Sequence, residues 1–418
     1  MDIHKFIHFC DNNNVTKIRH HSNYDRFFKV RPLLDIIREA CLKVEPDYNQ
    51  CVDEQMIPFK GKSGLKRYLP SKPTKWGFKV FTRNGSGGIV HDFFFEDGNF
   101  TFDGERSGFR SSDIVLKLAN SIEKGTKHHL YYDNYFSTLP LHSILLKMGH
   151  HSTSTMRRNR LRNCPISDDK SFKKLKRGSY EYALYLDNST KTNIVRWLDS
   201  SVVTVTSTAH SISPLSTIDR YDRKEKKVVK IDCPNIIKMY NRNMGGVDFF
   251  DMLMALYRLD HKSKKWYQRI FLWAINLCIL NGWLVYKRQC LLNKIPAKNI
   301  LCLMDFSVSV SEQLMYVNQV VNVIRKRSRP STSDVVITSI PMTARTYNLS
   351  EPKVSPNIRY DGMSHLPECT TAKVRCKFCG VHSRTMCLKC KVHLCIDING
   401  NCYLEYHTKN YIFYMFIY

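Results

Sequence analysis

Apolar residues recur at helical spacing near the start of this chain and at strand spacing soon afterwards. Between 26 and 43, Leu33, Leu34, Ile36, Ile37 and Ala40 share one side of a helix that would begin near Pro32, a residue preorganised for a first turn. From 46 to 156 the pattern turns to strands: 48–59, then 77–83 alternating towards the glycine-rich loop 84–88, then 91–96 at hairpin distance. Helical spacing returns at 114–122, a short apolar strand occupies 129–132, and 139–148 reads as a helix. Strand, hairpin, helix, strand, helix is an α/β order. Residues 157–192 are charged and irregular, 202–206 restore a strand, and 235–287 are dominated by helix. The stretch 305–360 reads as a weakly ordered connector around the basic, breaker-rich run 325–333. No internal repeat is visible.

The longest apolar run, 270–286, is interrupted by Asn276, Asn281 and Gly282. It sits at the short limit for a membrane span and suits a buried core helix better. The apolar tail 411–418 is too short to cross a bilayer, and the first residues carry no secretory pattern. No membrane partner is expected. Charge changes the picture more: 64 Lys and Arg against 37 Asp and Glu leave a formal net charge of +27 on 418 residues. Such a field favours nucleic acid as partner, while 43% hydrophobic residues exclude a mostly disordered chain. Without an export signal, 15 cysteines imply a reducing compartment, where they act as buried thiols or metal ligands.

Aspartates stand out within that cationic chain. Asp53 lies in a strand, Asp133 directly follows the strand 129–132, and Asp248 and Asp251 follow Gly245-Gly246 on one face of a helix. Taken singly, each has an ordinary explanation: an exposed strand residue, a turn-forming carboxylate, a helix-start charge. Together they would converge if the two strands were neighbours and the helix crossed their end. Converging carboxylates repel and disfavour joint ionisation. Two Mg²⁺ or Mn²⁺ ions roughly 3.5–4 Å apart would remove that penalty and serve phosphoryl displacement, and hard oxygen ligands suit those ions.

The segments 53–62 and 68–79, then 132–140 and 240–251, resemble the three catalytic blocks of piggyBac-type transposases in order and spacing. The resemblance runs from about residue 8 to the C-terminal cysteines. It implies an α/β architecture with an RNase H-like catalytic core, an insertion domain, a flanking helical DNA-binding and dimerisation region, and a small C-terminal zinc-binding domain. It assigns the metal-binding role to Asp53, Asp133 and Asp248 and a further essential role to Asp251. It implies cut-and-paste transfer of double-stranded DNA through hairpinned ends at TTAA targets, recognition of terminal repeats, a homodimer on DNA, and the nucleus as location. Trp266 matches a tryptophan kept by the family, with helix anchoring as its ordinary role. The family carries a longer stretch ahead of its first aspartate than the roughly 50 residues here, as expected of a truncated or decayed copy, a host-adopted derivative or an incomplete gene model.

A second signal lies at 369–402, which holds seven of the cysteines. Cys376-x2-Cys379 and Cys387-x2-Cys390, followed by Cys395, Cys402 and His407, have the spacing of structural zinc. Those seven ligands fall one short of two tetrahedral sites. His365 is the preferred eighth, with Cys369, His382 and His393 as rivals, and spacing leaves the pairing open. Structural zinc supplies on the order of 10–16 kcal/mol per site in small modules. The segment resembles the RING- or PHD-like cysteine-rich domain of piggyBac proteins, and its Lys373, Arg375, Lys377, Arg384, Lys389 and Lys391 suit phosphate contact.

These readings divide the chain into a helical region (1–45), a core (46–156 and 193–300) interrupted by a basic insertion (157–192), a linker (301–360) and a zinc domain (361–410). Three functions compete. The first is a metal-dependent DNA transposase. The second is a catalytically silent, domesticated DNA-binding protein. The third is a zinc module devoted to protein interaction.

Overall fold

The computed structural model describes residues 7–14, 24–70, 72–98, 100–161, 163–187, 190–222, 226–259, 263–316, 354, 359, 365–397 and 400–408. The chain falls into two units, Met1–Gln319 and Val320–Tyr418. The first runs α1 (Arg31–Leu42), β1 (Asn49–Pro58), β2 (Arg67–Tyr68), β3 (Trp76–Gly85), β4 (Val90–Phe95), α2 (Arg110–Ala119), β5 (His129–Tyr132), α3 (Leu139–Lys147) and β6 (His151–Thr155). It continues through α4 (Asp169–Phe172), β7 (Tyr180–Asp187), β8 (Thr190–Leu198), β9 (Val202–Ser207), β10 (Ser216–Asp222), β11 (Lys227–Cys233), α5 (Asn235–Asn243), α6 (Gly246–Leu256), α7 (Trp266–Leu292) and α8 (Leu303–Tyr316).

Nine strands form one mixed sheet in the order β2-β3-β1-β5-β6-β9-β8-β7, with β4 also paired to β3. Strands β1, β5 and β6 run parallel, whereas β3 is antiparallel to β1. Alternation sorts β1 between two apolar layers. Val52 packs with Leu130 and Tyr132 against α2 and α3, while Ile57 packs with Phe78 and Val80 against α1, α6 and α7. The expected hairpin is β3–β4, and Gly88 adopts φ +95° in its turn. Thr138 caps α3 by accepting from the Leu141 N–H.

By length and composition α7 could cross a membrane, yet Ile270, Ala274, Leu277 and Leu280 are buried in the core. Its polar interruptions have structural partners. Asn281 accepts from the Val90 N–H at 2.7 Å and donates to the Val90 carbonyl at 3.0 Å, and Asn276 accepts from the Leu259 N–H. Trp266 opens α7 and meets Phe27 and Phe78 edge-on, an anchoring contact.

Two sequence expectations change. The stretch 157–192 is not irregular throughout: β7 and the start of β8 lie in it and extend the main sheet. The reason is that Ala183 and Ile194 bury against Met156, Leu161 and Ile166, a non-local contact hidden behind the local charge. Several of the basic side chains there are internally engaged, since Arg160 donates to the carbonyls of Asn134, Tyr135 and Ser137. The connector also begins later than expected, because α8 packs Leu303 and Phe306 on the first core. The basic run 325–333 and the tail 411–418 lie outside the described residues.

The second unit carries an antiparallel pair, β12 (Pro367–Arg375) with β13 (His382–Cys387), and a short helix α9 (Cys402–Thr408). Its core is small and made largely of cysteines, with Leu394, Tyr403 and Tyr406.

Candidate functional site

Parallel pairing of β1 with β5 sets Cys51 beside Tyr131 and Val52 beside Tyr132. Asp53 and Asp133 are therefore the next residues along two adjacent strands. Because alternate residues share a face, Asp53 lies on the side of Cys51 and Asp133 on the side of Tyr131. Val247 of α6 packs on that side against both Cys51 and Tyr131. The first turn of α6 thus rests over β1, where burial raises the Cys51 thiol and the nearby Val247 and Gly246 N–H groups oppose the rise.

Four positions further along the same face of β1 as Cys51, Gln55 donates through Nε2 to Asp251 Oδ1 and accepts from Trp273 Nε1 at 2.9 Å. Val247 is held over Cys51 and Asp251 over Gln55, while Asp248, between them in α6, is exposed and acts on Asp251 and Lys72. The order Trp273, Gln55, Asp251 is a relay that orients the last carboxylate, and sequence reading gave neither Gln55 nor Trp273 a role. Alternation could have found Gln55; nothing local announces Trp273.

Electrostatics agree with this placement. Burial pushes the Asp53 carboxyl well above its ordinary value, and Glu54 and Asp133 add to the rise against the pull of Lys72. Asp133 is likewise raised by burial and by Glu54, while its turn N–H groups oppose the rise. Burial pushes Asp251 up to about 7, with Gln55 and Lys72 resisting and Asp248 adding to it. Lys72 is the counterpart: burial draws its ammonium towards neutrality, but Asp53, Glu54, Asp248 and Asp251 together hold it above its usual range. Asp53, Asp133 and Asp251 are desolvated carboxylates with raised pKa values, oxygen donors of the kind a hard divalent cation takes, and Asp248 adds an exposed carboxylate beside them.

In the second unit the ligand types form two interleaved tetrads. Cys376, Cys379, Cys395 and Cys402 make one set, and His365, Cys387, Cys390 and His407 make the other, with the ligand atoms of each within 4.8 Å of one another. Among the described residues, only these two sets bring three or more such atoms that close. The aspartates accordingly share a face and a field, not a closed cage.

The tetrads fit metal on independent grounds. His407 Nδ1 donates to the Tyr403 carbonyl at 2.7 Å, leaving Nε2 buried and without a hydrogen-bond partner. His365 Nδ1 lies 3.4 and 3.5 Å from the sulfurs of Cys387 and Cys390. Burial raises the Cys376 thiol, but N–H groups of Cys379, Cys395 and Phe378 outweigh it and bring it below its ordinary value, favouring thiolate. Of the rival ligands, Cys369 is exposed and His393 Nε2 bonds the Thr370 hydroxyl at 3.1 Å.

A family model described as Transposase IS4, of piggyBac type, matches residues 1–283. The chain belongs to the piggyBac-type transposase family. It is 29% identical over 408 residues to PiggyBac transposable element-derived protein 3 of Homo sapiens, covering 96% of this chain and 62% of that protein. It is 32% identical over 295 residues to the human PiggyBac transposable element-derived protein 2, covering 69% and 48% respectively. The piggyBac-family chain therefore spans less than two thirds of the length of these curated relatives. Among solved structures, a cryo-EM piggyBac transposase synaptic complex with hairpin DNA aligns with a TM-score of 0.56 at 18% identity, over 93% of this chain and 77% of that one. The likeness is one of fold. It agrees with the mixed α/β architecture expected from the sequence.

Proposed function

We propose that this piggyBac-family chain is a divalent-metal-dependent DNA strand-cleaving and strand-transfer protein. One observation carries the reading: Asp53, within β1, and Asp133, just past the end of β5, follow paired positions of two adjacent parallel strands, on the face that α6 covers with Val247 and Asp251. Asp53, Asp133 and Asp248 would hold Mg²⁺ or Mn²⁺, which when bound supplies Lewis-acid stabilisation and an activated water for in-line displacement at phosphorus. Asp251 is held by the Gln55–Trp273 relay and shapes the site beside those ligands. The arrangement β4-β3-β1-β5-β6, with β1, β5 and β6 parallel and β3 reversed, supports an RNase H-like core. The net charge of +27 supports double-stranded DNA as the partner. On this reading the tetrads hold two structural zinc ions, and the protein acts in the nucleus as a dimer on terminal repeats with TTAA targets.

The test is nicking of DNA that carries candidate terminal repeats, with and without Mg²⁺ or Mn²⁺. Cleavage should require metal and fall by several orders of magnitude in Asp53→Ala, Asp133→Ala and Asp248→Ala. Activity surviving in those variants would reject the assignment. Salt-dependent DNA binding with no cleavage under any metal would instead establish a silent, domesticated binder.

A further inference from the structure

Lys72 lies in the loop between β2 and β3, with its side chain about a quarter exposed (27%). Its Nζ donates to the Glu54 carbonyl at 3.3 Å and pairs with the Glu54 carboxylate at 3.5 Å. Those two contacts hold the ammonium at the stretch of β1 that carries Asp53, within the field of Asp248 and Asp251 on α6. Lys79 also reaches Glu54, at 3.9 Å, but its ammonium lies over the rings of Phe81 and Tyr135. Lys72 is the charge that the carboxylates of both β1 and α6 share.

We propose that Lys72 is the resident counter-cation of the carboxylate site, and that a divalent metal must displace its ammonium to be held there. The inference rests on the metal-dependent reading above. Asp53, Asp133 and Asp251 are partly buried and Asp248 is exposed, and a neighbouring positive charge favours their ionised, metal-binding forms against burial and mutual repulsion. An ammonium on a flexible four-carbon stem can supply it and then leave, which a rigid guanidinium fork does less readily. Lys72 thereby keeps the metal-free site folded and sets how tightly metal is retained.

Mn²⁺ binding to the zinc-loaded full chain, followed by the free-Mn²⁺ electron paramagnetic resonance signal at fixed pH and ionic strength, tests this. Lys72→Met should tighten Mn²⁺ about tenfold, the scale of one charge removed at this depth. Lys75→Met, which removes an exposed lysine of the same loop, should leave the affinity unchanged. Without metal Lys72→Met should melt below the parent protein, and saturating Mn²⁺ should close that gap. Lys72→Gln, which keeps a donor for the Glu54 carbonyl, decides the matter if the methionine variant does not fold. Parental or weaker Mn²⁺ affinity in the folded Lys72 variants, with Asp53→Asn still abolishing binding, overturns the counter-cation role and leaves the metal site standing. Binding that ignores Asp53→Asn in every background removes the metal site and this proposal with it.

Discussion

Gly245 and Gly246 are adjacent in sequence but should respond oppositely to alanine. A Cβ at 246 would lie 2.3 Å from the Gly85 carbonyl oxygen and 2.8 Å from Cys51 Sγ, whereas one at 245 would meet nothing within 4 Å. Neither obstacle can retreat. Gly85 is paired in the β1–β3 ladder and its oxygen accepts from the Gly88 N–H, and Cys51 is fully buried. Restoring ordinary contact would push the start of α6 outward by about 1 Å. Alanine gains roughly 1 kcal/mol of helix propensity over glycine, while overpacking costs about 1–3 kcal/mol. Because Gly246 is the first residue of α6, that interior gain applies only in part, and Gly246→Ala should be destabilising by about 1–2 kcal/mol, a drop of a few °C in melting temperature for a unit of this size.

The larger effect should fall on function, because Asp248 rides on the displaced turn. A shift of about 1 Å at a reacting centre can cost on the order of 100-fold in rate. Thermal melts of the zinc-loaded protein, Mn²⁺ titration and metal-dependent nicking on Gly245→Ala and Gly246→Ala would measure both effects. Gly245→Ala should be neutral or slightly stabilising. If Gly246→Ala matches it in stability and in metal affinity, close seating of α6 is not what aligns the carboxylates.

Acid should unfold the first unit early. Burial holds His91, His129 and His142 near a pKa of about 3, against about 6.5 in the unfolded chain. Folded pKa values below the unfolded ones place this stability above pH 6.5 and remove it as pH falls towards 3. From pH 6.5 to 5 each histidine costs about 2 kcal/mol, so the melting temperature should drop steeply there; a flat profile would contradict the burial of these rings. For the second unit, elemental analysis should find two zinc ions per chain, with Cys387→Ser and His407→Ala each losing one and Cys369→Ser losing none. Full zinc content in His407→Ala would remove that ligand from its tetrad.

The hydrophobic period alone located α1, the β3–β4 hairpin, β5, α3 and the helical run from 235, because each buries a face set by its own neighbours. Asp53 within a strand, Asp133 just after one, and the shared helix face of Asp248 and Asp251 were legible for the same reason. The ligand types of the cysteine-rich unit were legible too, down to His365, whose nitrogen now lies against two of the thiols. What only the tertiary structure decided is non-local. Which cysteine pair joins which histidines depends on how β12, β13 and α9 meet, since either C-x2-C pair could complete either tetrad. The role of 180–198 as sheet depends on a loop that covers Ala183 and Ile194. The site itself depends on Trp273 reaching Gln55 across 218 positions and on Lys72 folding back over β1. Local periodicity encodes which face is buried, but partners so distant in sequence meet only after the sheet has closed and brought α6 and α7 onto it.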